Sequence, residues 1–198
     1  MGRSWGLASA CGACSAPLDI GSSTCIECGS PTFPASRRVV CLLFADLSGY
    51  TRYCEERDVE EVHLAVRPLM NSLRRICERL GGAVPGIQGD GFMAVFGALE
   101  TKDDDAQRCV LAAVQMHEVV LERRAALRGE LPELRVGLHI GEVLVAPSWE
   151  QTGFSVSGDA VNVASRLCTA AAASSVLASE TFADLVPLSE WSDSWEQE

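Results

Sequence analysis

The sequence predicts an α+β domain, helices packed over a sheet, with a small cysteine-rich unit ahead of it. Three observations carry that prediction. Short apolar runs rich in β-branched residues, such as Val39-Val40-Cys41-Leu42-Leu43, read as buried strands. Between such runs lie stretches whose apolar residues fall three and four apart, as on one face of a helix. In front of both stand two Cys-x-x-Cys pairs, Cys11/Cys14 and Cys25/Cys28. The 198 residues suffice for one ordinary domain and an appendage, and 47% hydrophobic residues suffice for a core.

In chain order, the four N-terminal cysteines come first. Ten residues separate Cys14 from Cys25, and four thiolates so spaced can close a tetrahedron round Zn²⁺ while Gly12 and Gly29 let the backbone turn tightly. Residues 1–29 therefore read as a zinc ribbon, with two disulfides or idle thiols in a tail as the alternatives. So short a segment with few large apolar side chains cannot pack a core unaided, so the metal would be essential to it. Residues 30–37, beginning Ser30-Pro31-Thr32-Phe33-Pro34, read as a linker.

The first strand delivers Asp46 to its carboxyl end and breaks at Ser48-Gly49. Val59, Val62, Val66, Leu69, Leu73, Ile76 and Leu80 then mark a helical region over 58–80, with Pro68 as a kink or a fresh helix start and Gly81-Gly82 as its end. Ala83 to Phe96 reads as two strands about the Gly89-Asp90-Gly91 turn, a hairpin that brings Asp90 near Asp46 if the strands are neighbours. Asp103-Asp104-Asp105 caps a helix whose stripe is Val110, Ala113, Val114, His117 and Leu121. Leu134 to Val145 alternates around Gly141 and predicts another hairpin; Ala160 to Ala172 is helical; Val176-Leu177-Ala178 is a last short strand. The order is β, α, α, β, β, α, β, β, α, β.

Two isolated acids, Asp46 and Asp90, each beside glycine at a strand edge, suggest a two-metal site for phosphoryl chemistry. The turn Ser48-Gly49-Tyr50-Thr51 offers backbone N–H groups to phosphate. Three segments, Phe44-Ala45-Asp46-Leu47-Ser48-Gly49-Tyr50-Thr51, Gln88 to Phe96, and Ser157-Gly158-Asp159-Ala160-Val161-Asn162-Val163-Ala164-Ser165-Arg166-Leu167, stand in the order found in the class III nucleotide cyclases. From about residue 37 to 186 the chain resembles that family of adenylyl and guanylyl cyclases.

The resemblance implies a ferredoxin-like βαββαβ core over 38–187. It implies two Mg²⁺ or Mn²⁺ ions per site, held by Asp46, Asp90 and the carbonyl of Leu47. It implies that Asn162 orients the ribose and Arg166 meets charge on the α-phosphate, both reaching in from the partner chain, so that the active species is a homodimer or a heterodimer with another cyclase chain. The implied reaction turns a purine nucleoside triphosphate, ATP before GTP, into a 3′,5′-cyclic nucleotide and pyrophosphate. At the family's base-reading positions this chain has Gly86 and Ser155, where a lysine or glutamate and an aspartate or threonine are usual. The family domain normally continues with a further strand pair, so the domain reads as truncated, with 188–198 as a tail and an unpaired sheet edge. These departures support a second reading, a catalytically degenerate dimerisation module or one subunit of a heterodimeric cyclase.

A net charge of −11, a pI near 4.7 and a single lysine, Lys102, argue against nucleic-acid binding. They make the ribbon a docking or regulatory unit for a protein partner. No apolar run reaches transmembrane length, and residues 1–10 lack a signal peptide's order. Nine cysteines, an odd number and mostly scattered, fit reduced thiols and a cytoplasmic location. The histidines, His63, His117 and His139, read as packing or surface residues.

Overall fold

The sheet is organised around its longest central strand, β1 (Ser36–Ser48). The computed structural model describes residues 11, 13–17, 24–30, 35–148 and 153–186. The rest of the ribbon, residues 31–34 of the linker, residue 187 and the 188–198 tail lie outside the described residues. After β1 come α1 (Tyr50–Glu55), α2 (Val59–Arg79), β2 (Ile87–Gln88), β3 (Gly91–Phe96) and α3 (Asp105–Ala126). Then follow β4 (Glu133–Ser148), β5 (Gly153–Ser157), α4 (Asp159–Ala170), β6 (Ser175–Ala178) and α5 (Glu180–Ala183).

The strand order is β2-β3-β1-β4-β5, antiparallel throughout, and β6 lies parallel to the first half of β4. Among the described residues no strand pairs with the outer edge of β6. The period of two along each strand divides the sheet into two faces. Cys41, Leu43, Ala45 and Leu47 of β1 point under α2 and α3, whereas Val40, Leu42 and Phe44 point towards α4.

Three details depart from the sequence reading. The first helix after β1 is α1, formed straight from the Gly49 turn, and α2 runs unbroken through Pro68. Pro68 and Leu64, whose carbonyl loses its partner to the proline, are both exposed, so water can take that group. The predicted hairpin at Gly141 is instead one continuous strand, β4, which turns back only beyond Ser148 to pair with β5. Gly141 and Gly137 serve close approach rather than a turn. A Cβ on Gly141 would lie 2.7 Å from Ala160 Cβ, and one on Gly137 would lie 2.5 Å from the Ala164 carbonyl oxygen. The two glycines let α4 rest directly on β4.

Candidate active site

Asp46 follows Phe44 on the α4 face of β1, one strand period further along. Its cross-strand neighbour in β3 is Gly91, and the Leu47 N–H donates to the Asp90 carbonyl at 3.2 Å. The register thus brings the two acids together at one end of the sheet. A Cβ on residue 91 would sit 2.9 Å from the Ala45 carbonyl oxygen and 3.3 Å from Asp46 Oδ1, so glycine there leaves the space beside the carboxylate.

The acids open into a cleft of about 890 Å³. Phe44, Asp46, Gly86, Gln88, Asp90 and Met93 form its sheet wall, and Val161, Ser165, Cys168 and Thr169 of α4 form the other. Burial, reinforced by the neighbouring Asp46 carboxylate, raises the Asp90 pKa above its ordinary value, and Arg135 pulls the other way. Two hard carboxylates facing one half-open cleft suit Mg²⁺ or Mn²⁺, which keep part of their water shell.

A third charged group at this site escaped the sequence reading. Arg135 of β4 is the direct cross-strand partner of Asp46. Its Nε donates to Asp46 Oδ2 at 2.9 Å, its Nη2 also donates to Oδ2, and its Nη1 donates to the Thr169 carbonyl at 3.2 Å. The guanidinium therefore ties Asp46 to the opposite wall. Only the β1–β4 register could have revealed the pair, because 89 residues separate the two in sequence.

The remaining candidates divide. Gly86 lines the cleft, is exposed, and has nothing within 4 Å of where its Cβ would be. Ser155 lies on β5, its Oγ at 3.5 Å from the Ala146 carbonyl, and is not part of the cleft wall. Leu47 is buried, with its side chain in the core. Ser48, Gly49, Tyr50 and Thr51 form the turn into α1, where Gly49 has φ 82° and its carbonyl accepts from the Tyr53 N–H at 3.0 Å. None of the four lines the 890 Å³ cleft; Tyr50 borders a separate 380 Å³ hollow with His63, Arg67 and Asn71.

Asn162 and Arg166 share one face of α4 and are exposed. They follow Val161 and Ser165 by one residue each, which rotates them about 100° away from the cleft of their own chain. Of the histidines, His117 is buried with its pKa lowered by that burial, and His139 Nδ1 lies 2.8 Å from Ser179 Oγ. None of the three lines the cleft.

The sulfurs of Cys11, Cys14, Cys25 and Cys28 all lie within 4.8 Å of one another. Cys11–Cys28 and Cys14–Cys25 are each 3.6 Å apart. Four sulfurs at about 2.3 Å from a tetrahedral centre would be about 3.8 Å apart, so the cluster fits Zn²⁺ and is too open for disulfides. Hydrogen bonds at Ser30 pull the Cys28 thiol down to about 6. Cys14, despite a backbone hydrogen bond at Ala16 that acts to lower it, is pushed up to about 12, with Cys28 the largest opposing influence. Cys14, so raised, is a thiol whose proton a bound cation would have to displace. The core cysteines differ: burial pushes Cys41, Cys77 and Cys168 up to about 12, where thiols are inert.

The fold and the paired acids define a class, the nucleotide cyclase catalytic domain. The profile of the adenylate and guanylate cyclase catalytic domain matches residues 34–193, and the chain belongs to that family. Among solved structures, the guanylyl cyclase Cya2 superposes with a TM-score of 0.71 at 27% identity, covering 77% of this chain and 80% of that one. The adenylyl cyclase CyaB from P. aeruginosa gives 0.72 at 25% identity, over 77% and 82%. A germination-specific adenylate cyclase of Dictyostelium discoideum is 28% identical over 156 residues, which are 76% of this chain. The chain spans only 18% of that protein's length. No helix among the described residues is long and apolar enough to cross a membrane.

Proposed function

We propose that this chain forms a 3′,5′-cyclic nucleotide and pyrophosphate from a purine nucleoside triphosphate, with ATP as the first substrate to test, at a site shared by two chains. The observation that carries the reading is the convergence of Asp46 and Asp90 on one cleft while Asn162 and Arg166 of the same chain face outward. Bound Mg²⁺ or Mn²⁺ would make the ribose 3′-hydroxyl easier to deprotonate and offset the charge on the departing pyrophosphate. Asp46 and Asp90 are the residues to hold those ions, with the Leu47 carbonyl as a further ligand. Arg166 of a second chain, permanently charged, is suited to meet charge developing on the α-phosphate. Asn162, one helical turn away, is placed to orient the ribose from the same side.

The exposed, side-chain-free position at Gly86 supports the second reading, a cyclase-like module that dimerises without turnover or completes its site with a different cyclase chain. One experiment separates them: mass-spectrometric detection of cyclic nucleotide after incubation with Mn²⁺ and either ATP or GTP, with Asp46→Ala alongside. We expect product that falls at least about a hundredfold in the variant. A folded, dimeric protein giving no product with either purine would transfer the conclusion to the second reading.

For the N-terminal unit we propose a structural Zn²⁺ on Cys11, Cys14, Cys25 and Cys28, and a protein partner as its target. Elemental analysis should return one zinc per chain, lost in Cys11→Ser; a metal-free protein would refute the assignment.

A further inference from the structure

Two arginines of the domain, each paired with aspartate, look alike at first and differ in what surrounds them. Arg108 reaches Asp104 at 2.9 Å and Asp105 at 2.5 Å, and its Nη1 donates to the Leu80 carbonyl at 2.7 Å. That group of three ties the start of α3 to the end of α2, and none of its members lines the cleft. The Arg135–Asp46 pair instead spends an arginine on one of the two acids that the cleft offers to a metal.

Resting on the metal-binding reading of Asp46, we propose that Arg135 is a positioning residue that competes with a divalent cation for Asp46 Oδ2, so that the site takes up metal together with a polyphosphate rather than as the free ion. Both Nε and Nη2 converge on Oδ2, the same oxygen, and leave Oδ1 towards the space beside Gly91. The third contact, to the Thr169 carbonyl, holds the guanidinium in this pose without help from a ligand. The Arg135 and Asp46 side chains are 25% and 28% exposed, so water screens the pair less than an ordinary surface contact. Asp46 and Asp90 present two negative charges, and Arg135 cancels one of them. A free divalent cation therefore meets about half the attraction that the acids alone would exert.

Displacing the guanidinium from Oδ2 would leave it in a half-buried place without its carboxylate, which is costly unless another anion arrives. A polyphosphate supplies such oxygens along with the metal. Arg135 also offsets the repulsion between the neighbouring Asp46 and Asp90 carboxylates.

The test is titration of the full chain with free Mn²⁺, followed by electron paramagnetic resonance, with and without a non-reactive ATP analogue. Arg135→Gln should bind Mn²⁺ about tenfold more tightly than wild type when nucleotide is absent. With the analogue present that advantage should shrink or reverse. Arg135→Lys keeps the charge but not the fork, and should fall between at roughly threefold. Adding Asp46→Asn to Arg135→Gln should abolish the gain. Circular dichroism melts establish that each variant is folded; where the glutamine variant is not, the lysine variant decides. Wild-type affinity in a folded Arg135 variant, with Asp46→Asn still abolishing Mn²⁺ binding, overturns the competition and leaves the metal site standing. Mn²⁺ binding indifferent to Asp46→Asn overturns both.

Discussion

The two faces of the sheet use the same strands and end in different states. Beneath α2 and α3, alternate residues of β1, β3 and β4 close into one core, with Leu43, Ala94, Phe96, Leu134 and Leu138 essentially inaccessible. On the opposite face α4 covers Val40, Leu42, Val95, Val143 and Val145, but Phe44 and Met93 are only partly buried and form part of the cleft. Asp46 stands one period beyond Phe44 on that half-covered face. A carboxylate with apolar protein on one side and an open cleft on the other feels a weaker dielectric than bulk water, yet a cation can still reach it. The contrast separates two tasks: the closed face holds the strands in register, and the open face uses that register to set charges beside one another.

Truncating the inward and outward neighbours of β1 is the strongest way to break this comparison. Leu43→Ala should cost roughly 3 kcal/mol, since the side chain is fully enclosed. In a domain of this size the melting temperature should drop by about 6–12 °C. Phe44→Ala removes a larger side chain yet should cost only about 1–2 kcal/mol, because part of its area is already in contact with water. Thermal melts of the two variants in dilute solution decide the matter. Equal losses would mean that the open face is packed as tightly as the closed one, and the division of tasks would fail.

The sequence made the closed face readable and left the open face half legible. Strand alternation and helical spacing depend on neighbours in the chain, so β1, the span of α2, the helix α3 and β6 follow from local pattern, whereas α1 and β5 do not. The hairpin of β2 and β3 brings Asp90 to Asp46 because the turn at Gly89-Asp90-Gly91 is itself local. Gly141 misled because one residue type serves both turns and close packing, and the helix that needs the space, α4, begins 18 residues later. Arg135 was invisible for a related reason: its partner is fixed by the register of 13 cross-strand pairs between β1 and β4, which no short window of sequence contains. Contacts that cross the sheet are settled by tertiary pairing, and the charges that matter on the open face are of that kind.

A finer probe of the same contrast is Asp90→Asn. Burial and the Asp46 carboxylate raise the Asp90 pKa in the folded chain, so the folded state holds this proton more tightly than the unfolded one. The sign follows from that difference. The group's contribution is most favourable below the unfolded value, near 3.8, and is lost as pH rises through the raised folded value, which leaves a charged Asp90 as a burden at neutral pH. Asparagine removes the charge with little change of shape. In chelator at pH 7 the variant should therefore melt about 1–2 °C above wild type, a small gain because solvent still reaches the group. The gap should close by about pH 4, where the wild-type carboxyl regains its proton. Excess Mn²⁺ should reverse the order, since metal bound only by the native site stabilises wild type and not the variant. Calorimetry in chelator and in Mn²⁺ reads both signs. A variant less stable than wild type in chelator would show that Asp90 belongs to the packing of its turn, and the open face would then contribute to stability as the closed face does.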